Sequence, residues 1–325
     1  MAKLFSIGEV LIDFIPLQKG RALQDVVSFE RAPGGAPANV AAAVAKYGNP
    51  AAMITKLGND AFGNFLIEEL KKAGVETDKV LRTDEANTGL AFVSLREDGE
   101  RDFSFYRNPS SDLLLTAEEI DTNWFQDGDI LHFCSVDLVE SPMKKAHRKA
   151  ISAMKAQGGL VSFDPNVRLP LWKSEQACRE AILEFIPTAH LVKISDEELP
   201  FITGISNVEE AIRTLFAGDV QAVIYTKGPG GAELYTKTSK YNAEGYRVQV
   251  QDTTGAGDAF IGGFLFQLLK RKISQDTVEE IIKTHHKEIL AFANASGALT
   301  TAGKGAISSL PTIEQVYALL NGGHA

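Results

Sequence analysis

The run VQVQDTTGAGDAFIGGFLFQLL at residues 248–269 sets one charged side chain, Asp258, between a glycine turn and a long apolar stretch. The apolar stretch reads as a helix that is hydrophobic nearly all round, hence buried, with its first turn inside the protein. The backbone N–H groups of Gly255, Ala256 and Gly257 then point together at the space before that turn. A helix terminus of this kind carries roughly half a positive charge and suits an anion. A carboxylate beside the anion can take the proton of a hydroxyl, and a hydroxyl, a base and an anion hole are what phosphoryl transfer to an alcohol needs. Asp258 as a plain helix cap is the simpler alternative, and G-A-G-D alone does not separate the two. The run is neither a Walker loop, which needs G-x-x-x-x-G-K-[ST], nor the dinucleotide fingerprint G-x-G-x-x-G.

Other polar clusters fall at the ends of apolar runs. YTKGPGGAELY (225–235) puts Thr226, Gly228 and Gly231 after a strand-like segment, where amides and a hydroxyl suit nucleotide phosphates; an ordinary turn is the alternative. RAPGGAPANVA (31–41) places Gly34, Gly35 and Asn39 at a helix start, Asp13 ends the first strand-like run, and FDPNVRLPLW (163–172) sets Asp164, Asn166 and Arg168 after another. Asp, Asn, glycine amides and Arg are groups that bind a polyol, and in open parallel sheets ligands sit beyond the strand carboxyl ends. FANASGALTTAGKGAISSLP (292–311) begins as a small-residue helix, against which a flat ring or a neighbouring helix fits, and ends in a glycine-rich loop.

The elements that must position these groups alternate. LFSIGEVLIDFI reads as a first strand, 37–48 as a helix with Pro37 at its start, and 60–74 as an amphipathic helix. Short apolar runs at 130–136, 160–164, 191–195 and 222–228, separated by helical stretches, predict a mostly parallel sheet covered on both faces. The rhythm breaks at 89–108, which alternates apolar and polar around a turn at Asp98-Gly99. With early strands near 12–16 and 26–32 it predicts a small antiparallel sheet acting as a lid; a plain extension of the main sheet is the alternative.

The 325 residues, 44% hydrophobic and 23% charged, suit a globular protein with a sizeable core. The net charge of −9 argues against nucleic acid or anionic membrane as partner. The polar N-terminus is no signal peptide and no apolar run spans a membrane; Cys134 and Cys178 fit no disulfide or zinc spacing. A cytoplasmic protein is expected.

DTTGAGDAF and GGAPANVAAAVAKYG resemble the two signatures of the ribokinase-like (PfkB) carbohydrate kinases. Those segments with LGNDAFG, FYRNPSSDLLL, DPNVRLPLW and KISDEEL, in this order, look most like fructokinases, and the resemblance runs from about residue 4 to 311. It implies a three-layer α/β fold in one domain (1–325), its lid formed by segments about 11–33 and 89–108, with ATP and Mg²⁺ as co-substrates. By the motifs, Asp258 is the general base and Gly255, Ala256 and Gly257 the anion hole. Asp13, Gly34, Gly35, Asn39, Tyr106, Arg107 and Arg168 bind the sugar. Thr226, Gly228 and Gly231 match the phosphate loop, and Asn294 falls beside the adenosine. Asp252, Thr254, Gly305 and Ser309 match a monovalent-cation site, implying K⁺.

One departure is Ser195-x-x-Glu198, where the wider family has Asn-x-x-Glu; Glu198 reaches Mg²⁺ through water, and Ser195 can hold a metal-bound water. The expectation is transfer of the ATP γ-phosphoryl to D-fructose, giving fructose 6-phosphate. 2-Keto-3-deoxygluconate or ribose are the rival substrates, and a catalytically silent sugar sensor is the rival class. A homodimer through the lid is also expected, since a small sheet with one apolar face needs cover.

Overall fold

The computed structural model describes residues 2–18, 20–95 and 101–322. Its strands are β1 (Leu4–Ile7), β2 (Leu11–Pro16), β3 (Phe29–Gly34), β4 (Ala51–Gly58), β5 (Val80–Thr83), β6 (Leu90–Leu95), β7 (Arg101–Tyr106), β8 (Ile130–Cys134), β9 (Leu160–Asp164), β10 (Leu191–Ser195), β11 (Ala222–Thr226), β12 (Ala232–Thr236) and β13 (Lys240–Ala243). Its α-helices are α1 (Ala36–Lys46), α2 (Ala61–Lys72), α3 (Pro142–Ala156), α4 (Glu175–Phe185), α5 (Glu198–Thr203), α6 (Val208–Thr214), α7 (Ala256–Lys270), α8 (Val278–Thr300) and α9 (Ile313–Leu320).

Nine strands form the main sheet in the order β13-β12-β11-β10-β9-β8-β1-β4-β5. From β11 to β5 every neighbour is parallel, and β12 and β13 close one edge as antiparallel strands. The central strands are apolar on both faces, as burial under two helix layers requires. Ile130, Leu160 and Leu191 join a core with α1, α7 and α8, while Phe133, Phe163 and Ile194 join another with α3 and α4. Chain order reverses between β1 and β8, so the crevice beyond their carboxyl ends is where such a sheet binds ligands.

Helix α7 is buried nearly all round. It packs between α1 and α8, where a side chain on Gly262 would meet Ala43 at 2.6 Å and one on Gly263 would meet Ser296 Oγ at 2.6 Å. The Gly262 contact packs the middle of α7 closely against α1. The α2 helix starts where Asp60 accepts a 2.7 Å hydrogen bond from the Gly63 amide, a standard N-terminal cap. Among the described residues no helix is long and apolar enough to cross a membrane.

A second sheet has the order β3-β2-β6-β7. Two expectations change here. LFSIGEVLIDFI is not one strand: it breaks after Ile7, β1 entering the main sheet and β2 the small one. Asp13 therefore lies in mid-strand on the small sheet, not at the end of the first strand. The small sheet is also mixed rather than antiparallel, because β2 runs parallel to β6 while the β2–β3 and β6–β7 pairs are antiparallel. Parallel pairing follows from the long excursion through α1, β4, α2 and β5 between the two strands. The expected Asp98-Gly99 turn lies outside the described residues.

Candidate active site

The first turn of α7 opens at Gly255, whose φ of 76° is a left-handed conformation that glycine adopts without strain. A Cβ there would also lie 2.6 Å from that of Ala306. Asp258 is buried one turn in. Its Oδ2 accepts a 2.8 Å hydrogen bond from Asn39 Nδ2 of α1, and its Oδ1 accepts a 3.3 Å bond from Asn166 Nδ2 of the loop after β9. Two side-chain amides thus orient the carboxylate and leave it further lone pairs. Burial raises the Asp258 pKa, and Asn39, Lys193 and Arg168 restrain the rise. Such a group accepts a proton more readily than an exposed carboxylate does.

Beneath this turn lies a residue that the sequence argument missed. Lys193 of β10 is buried, with Nζ 3.0 Å from Asp164 Oδ2, and a Cβ on Gly257 would sit 3.4 Å from that Nζ. Burial alone would lower the Lys193 pKa, but Asp164 and Glu198 outweigh it and keep the ammonium charged. The available signal was a lone lysine inside the apolar strand LVKIS, since a buried charge must be paired.

Glu198 lies close by. Its Oε1 accepts from the Val167 amide at 2.8 Å and its Oε2 from both the amide and Oγ of Ser195 at 3.0 Å. Burial pushes its pKa up, but Lys193 and these bonds pull it below the usual carboxylate range. Among the described residues no three His, Cys, Asp or Glu side chains gather to hold an ion by themselves. An ionised carboxylate with spare lone pairs suits Mg²⁺, which keeps several waters and is otherwise bound by substrate phosphates.

On the sugar side, Gly34 and Gly35 make room in different ways. A Cβ on Gly34 would fall 2.2 Å from Asp13 Oδ2, so the missing side chain is where that carboxylate sits. Gly35, at φ 112°, caps α1, and a Cβ there would strike the Glu9 carbonyl oxygen at 2.4 Å. Arg168 is exposed, close enough to Asp258 to lower its pKa.

One lid-side expectation needs correction. Paired residues share a sheet face, and Asp13 pairs with Ala91, which pairs with Phe105. Phe105 therefore lies on the Asp13 face. Tyr106 points to the opposite face, 64% exposed, with its ring edge on Phe92. Arg107 is buried, with one terminal nitrogen bonded to both Asp112 and Asp137 and its Nε without a hydrogen-bond partner among the described residues.

The remaining residues fall in two groups. Thr226 ends β11, and Gly228 and Gly231 bracket the turn after it, closed by Lys227 N–H donating to the Gly231 carbonyl at 2.8 Å. Asn294 of α8 donates to the carbonyls of Ala243 and Glu244, tying α8 to the chain after β13; its amide is thus occupied by backbone. The four cation-site residues come together. Asp252 Oδ1 accepts from Thr254 N and Oγ1 at 3.0 and 2.6 Å, and Oδ2 accepts from Gly305 N at 3.0 Å. Ser309 Oγ donates to the Gly305 carbonyl. The loop before α7 and the loop after α8 are thus joined by oxygen-rich groups of the kind that replace the hydration shell of a hard cation.

A parallel α/β sheet with a small sheet over its carboxyl edge, a buried carboxylate at a glycine-opened helix start and polar groups converging on it define a phosphotransferase acting on an alcohol. Comparison with known proteins agrees. The chain matches the model of the pfkB family of carbohydrate kinases over residues 1–313 and belongs to that family. It is 43% identical over 316 residues to fructokinase-2 of Zea mays, covering 97% of this chain and 93% of that one. The structure of a fructokinase from Xylella fastidiosa with bound ATP superposes with a TM-score of 0.91 at 34% identity, covering 98% of both chains. A fructokinase double mutant from Vibrio cholerae, bound to fructose, ADP and potassium ion, gives 0.86 at 35% identity, with 98% of each chain covered.

Proposed function

We propose that this enzyme transfers the γ-phosphoryl group of ATP to D-fructose, giving fructose 6-phosphate. The observation that carries the mechanism is Asp258, held by Asn39 from the sugar loop at the start of the anion-binding helix. The fructokinase relatives carry the choice of sugar. Asp13, the Gly34–Gly35 turn, Asn39 and Arg168 hold the sugar. Asp258 takes the proton of its hydroxyl as the oxygen attacks phosphorus. The amides of Gly255, Ala256 and Gly257, with Lys193 beneath them, offset the charge developing on the phosphoryl oxygens. Thr226, Gly228 and Gly231 hold the nucleotide phosphates. Glu198, with Ser195, would hold Mg²⁺ through water, and the ion would supply charge neutralisation to the phosphates. Potassium, the ion in the Vibrio relative, binds at Asp252, Thr254, Gly305 and Ser309. The whole chain acts as one kinase domain whose small sheet is the lid; closure excludes water and limits idle hydrolysis.

A 2-keto-3-deoxygluconate substrate has a carboxylate that would want two cations. The charge of Arg107 is already offset by Asp112 and Asp137, which favours the neutral sugar. We also place the enzyme in the cytoplasm, where buried free thiols such as Cys134 and Cys178 persist. Exposed Leu17, Val27 and Tyr106 on the lid segments support a homodimer through that sheet. The test of function is ATP-dependent ADP release with fructose, 2-keto-3-deoxygluconate, ribose, adenosine and glucose, with Mg²⁺, with and without K⁺. Preference for fructose is expected; preference for the keto acid would overturn the substrate, and no turnover at all would favour a sugar sensor.

A further inference from the structure

Arg107 makes contacts that point to a role beyond any touch on the sugar. It is the residue immediately after β7, at the root of the lid. Asp137 lies three residues past β8 and Glu9 two past β1, so both carboxylates stand over the crevice where strand order reverses. The guanidinium bridges Asp112 and Asp137, and all three groups are buried. Glu9, which interacts electrostatically with Arg107, turns its Oε1 to the Ala36 amide at 3.0 Å and so holds the first turn of α1. That helix carries Asn39, which orients Asp258. The stem of Arg107 runs beneath the lid: a Cβ on Gly89 would come within 3.3 Å of its Cγ, and the Gly89 carbonyl accepts from Ile12 N of β2 at 3.1 Å. One guanidinium thus bridges two carboxylates, with the charge of a third within reach, at the junction of lid, sugar loop and main sheet. A buried ion pair is weak evidence for stability, but removing one partner leaves an uncompensated buried charge.

We propose that Arg107 is a positioning residue: by bridging Asp112 and Asp137 beside Glu9, it fixes the root of the lid to the strand ends that carry the sugar loop. The inference rests on the kinase reading above, and it concerns how the lid is set rather than which sugar is bound.

The test uses the full-length enzyme with ATP and Mg²⁺ and the variants Arg107→Met, Arg107→Lys, Asp137→Asn and the Arg107→Met/Asp137→Asn double. Four quantities are read: KM for sugar, KM for ATP, kcat, and the ratio of ADP release without sugar to that with sugar. Arg107→Met is expected to raise the sugar KM and the idle-hydrolysis ratio about tenfold each, the scale of one lost charged hydrogen bond, with the ATP KM unchanged. Arg107→Lys, keeping the charge, should fall between it and wild type. Asp137→Asn should move the same two quantities, and its effect should shrink in the Arg107→Met background, because the residues act as one unit. If Asp137→Asn leaves both quantities at wild-type values, or if its effect simply adds to that of Arg107→Met, the proposal is overturned. Should Arg107→Met not fold, Arg107→Lys and Asp137→Asn decide it alone. Wild-type preference within the sugar panel tests the substrate reading separately, since the variant ratios are taken with whichever sugar the wild type phosphorylates.

Discussion

Replacing Gly34 by alanine should abolish tight sugar binding while leaving the fold and ATP binding intact. The added Cβ would stand 2.2 Å from Asp13 Oδ2 and 2.7 Å from its Cγ, well inside any real contact. The cheapest relief is for the Asp13 carboxylate to swing out of the site, since Gly34 is backbone at the root of α1 and Asp13 is a half-buried side chain. Gly34 lies outside the left-handed region, so alanine adds no backbone strain there. A hydrogen bond to a charged group contributes about 1.5–3 kcal/mol. At about 1.4 kcal/mol per tenfold, losing one such bond to the sugar raises its KM roughly ten- to a hundredfold. Steady-state kinetics with fructose and ATP varied in turn measure this, with a thermal melt as the control for folding. Asp13→Ala should give a similar defect, and the double variant should be little worse than either single. A fructose KM within twofold of wild type in a folded Gly34→Ala protein would refute the reasoning, because the carboxylate would then be dispensable.

Other outcomes follow from the same geometry. Lys193→Met leaves Asp164 buried beside no ammonium and should destabilise the protein by about 3–5 kcal/mol, read by denaturant titration. In the same variant the Asp258 pKa should rise further, because burial raises it and Lys193 restrains it; a base must be ionised, so the acid limb of the kcat–pH profile should move to higher pH. Asp252→Ala removes the carboxylate joining Thr254 to Gly305, and potassium stimulation of kcat should disappear with it, seen by comparing K⁺ and Na⁺ salts.

Much of the site was legible because its residues cluster in short loops with distinctive chemistry. Gly34, Gly35 and Asn39, the G-A-G-D turn and the four cation-site residues each lie within a few positions of one another or carry a recognisable spacing. The structure brings Asn39, Asn166 and Asp258 together, and joins Asp252, Thr254, Gly305 and Ser309. What escaped depended on pairing between distant segments. Which lid aromatic shares the face of Asp13 turns on strand register, and a shift of one residue exchanges Tyr106 for Phe105; nothing local sets it. The bridge from Arg107 to Asp137 was not legible, because Asp137 is 30 positions away and comes near only once β8 lies beside β1. Lys193 was hidden by its setting in an apolar strand, although a charge so placed demands a partner. The break after Ile7 was masked by continuous hydrophobicity on both sides of Gly8 and Glu9.

The central claim is that Asp258 takes the proton of the acceptor hydroxyl. The most direct measurement is of Asp258→Asn, which keeps the size of the side chain and removes the base. Calorimetric binding of fructose and of ATP should stay near wild type, while kcat falls by about 10²–10⁴-fold, the usual contribution of a positioned base. A folded variant that binds both ligands and turns over within tenfold of wild type would contradict the account and leave Asp258 as no more than a helix cap.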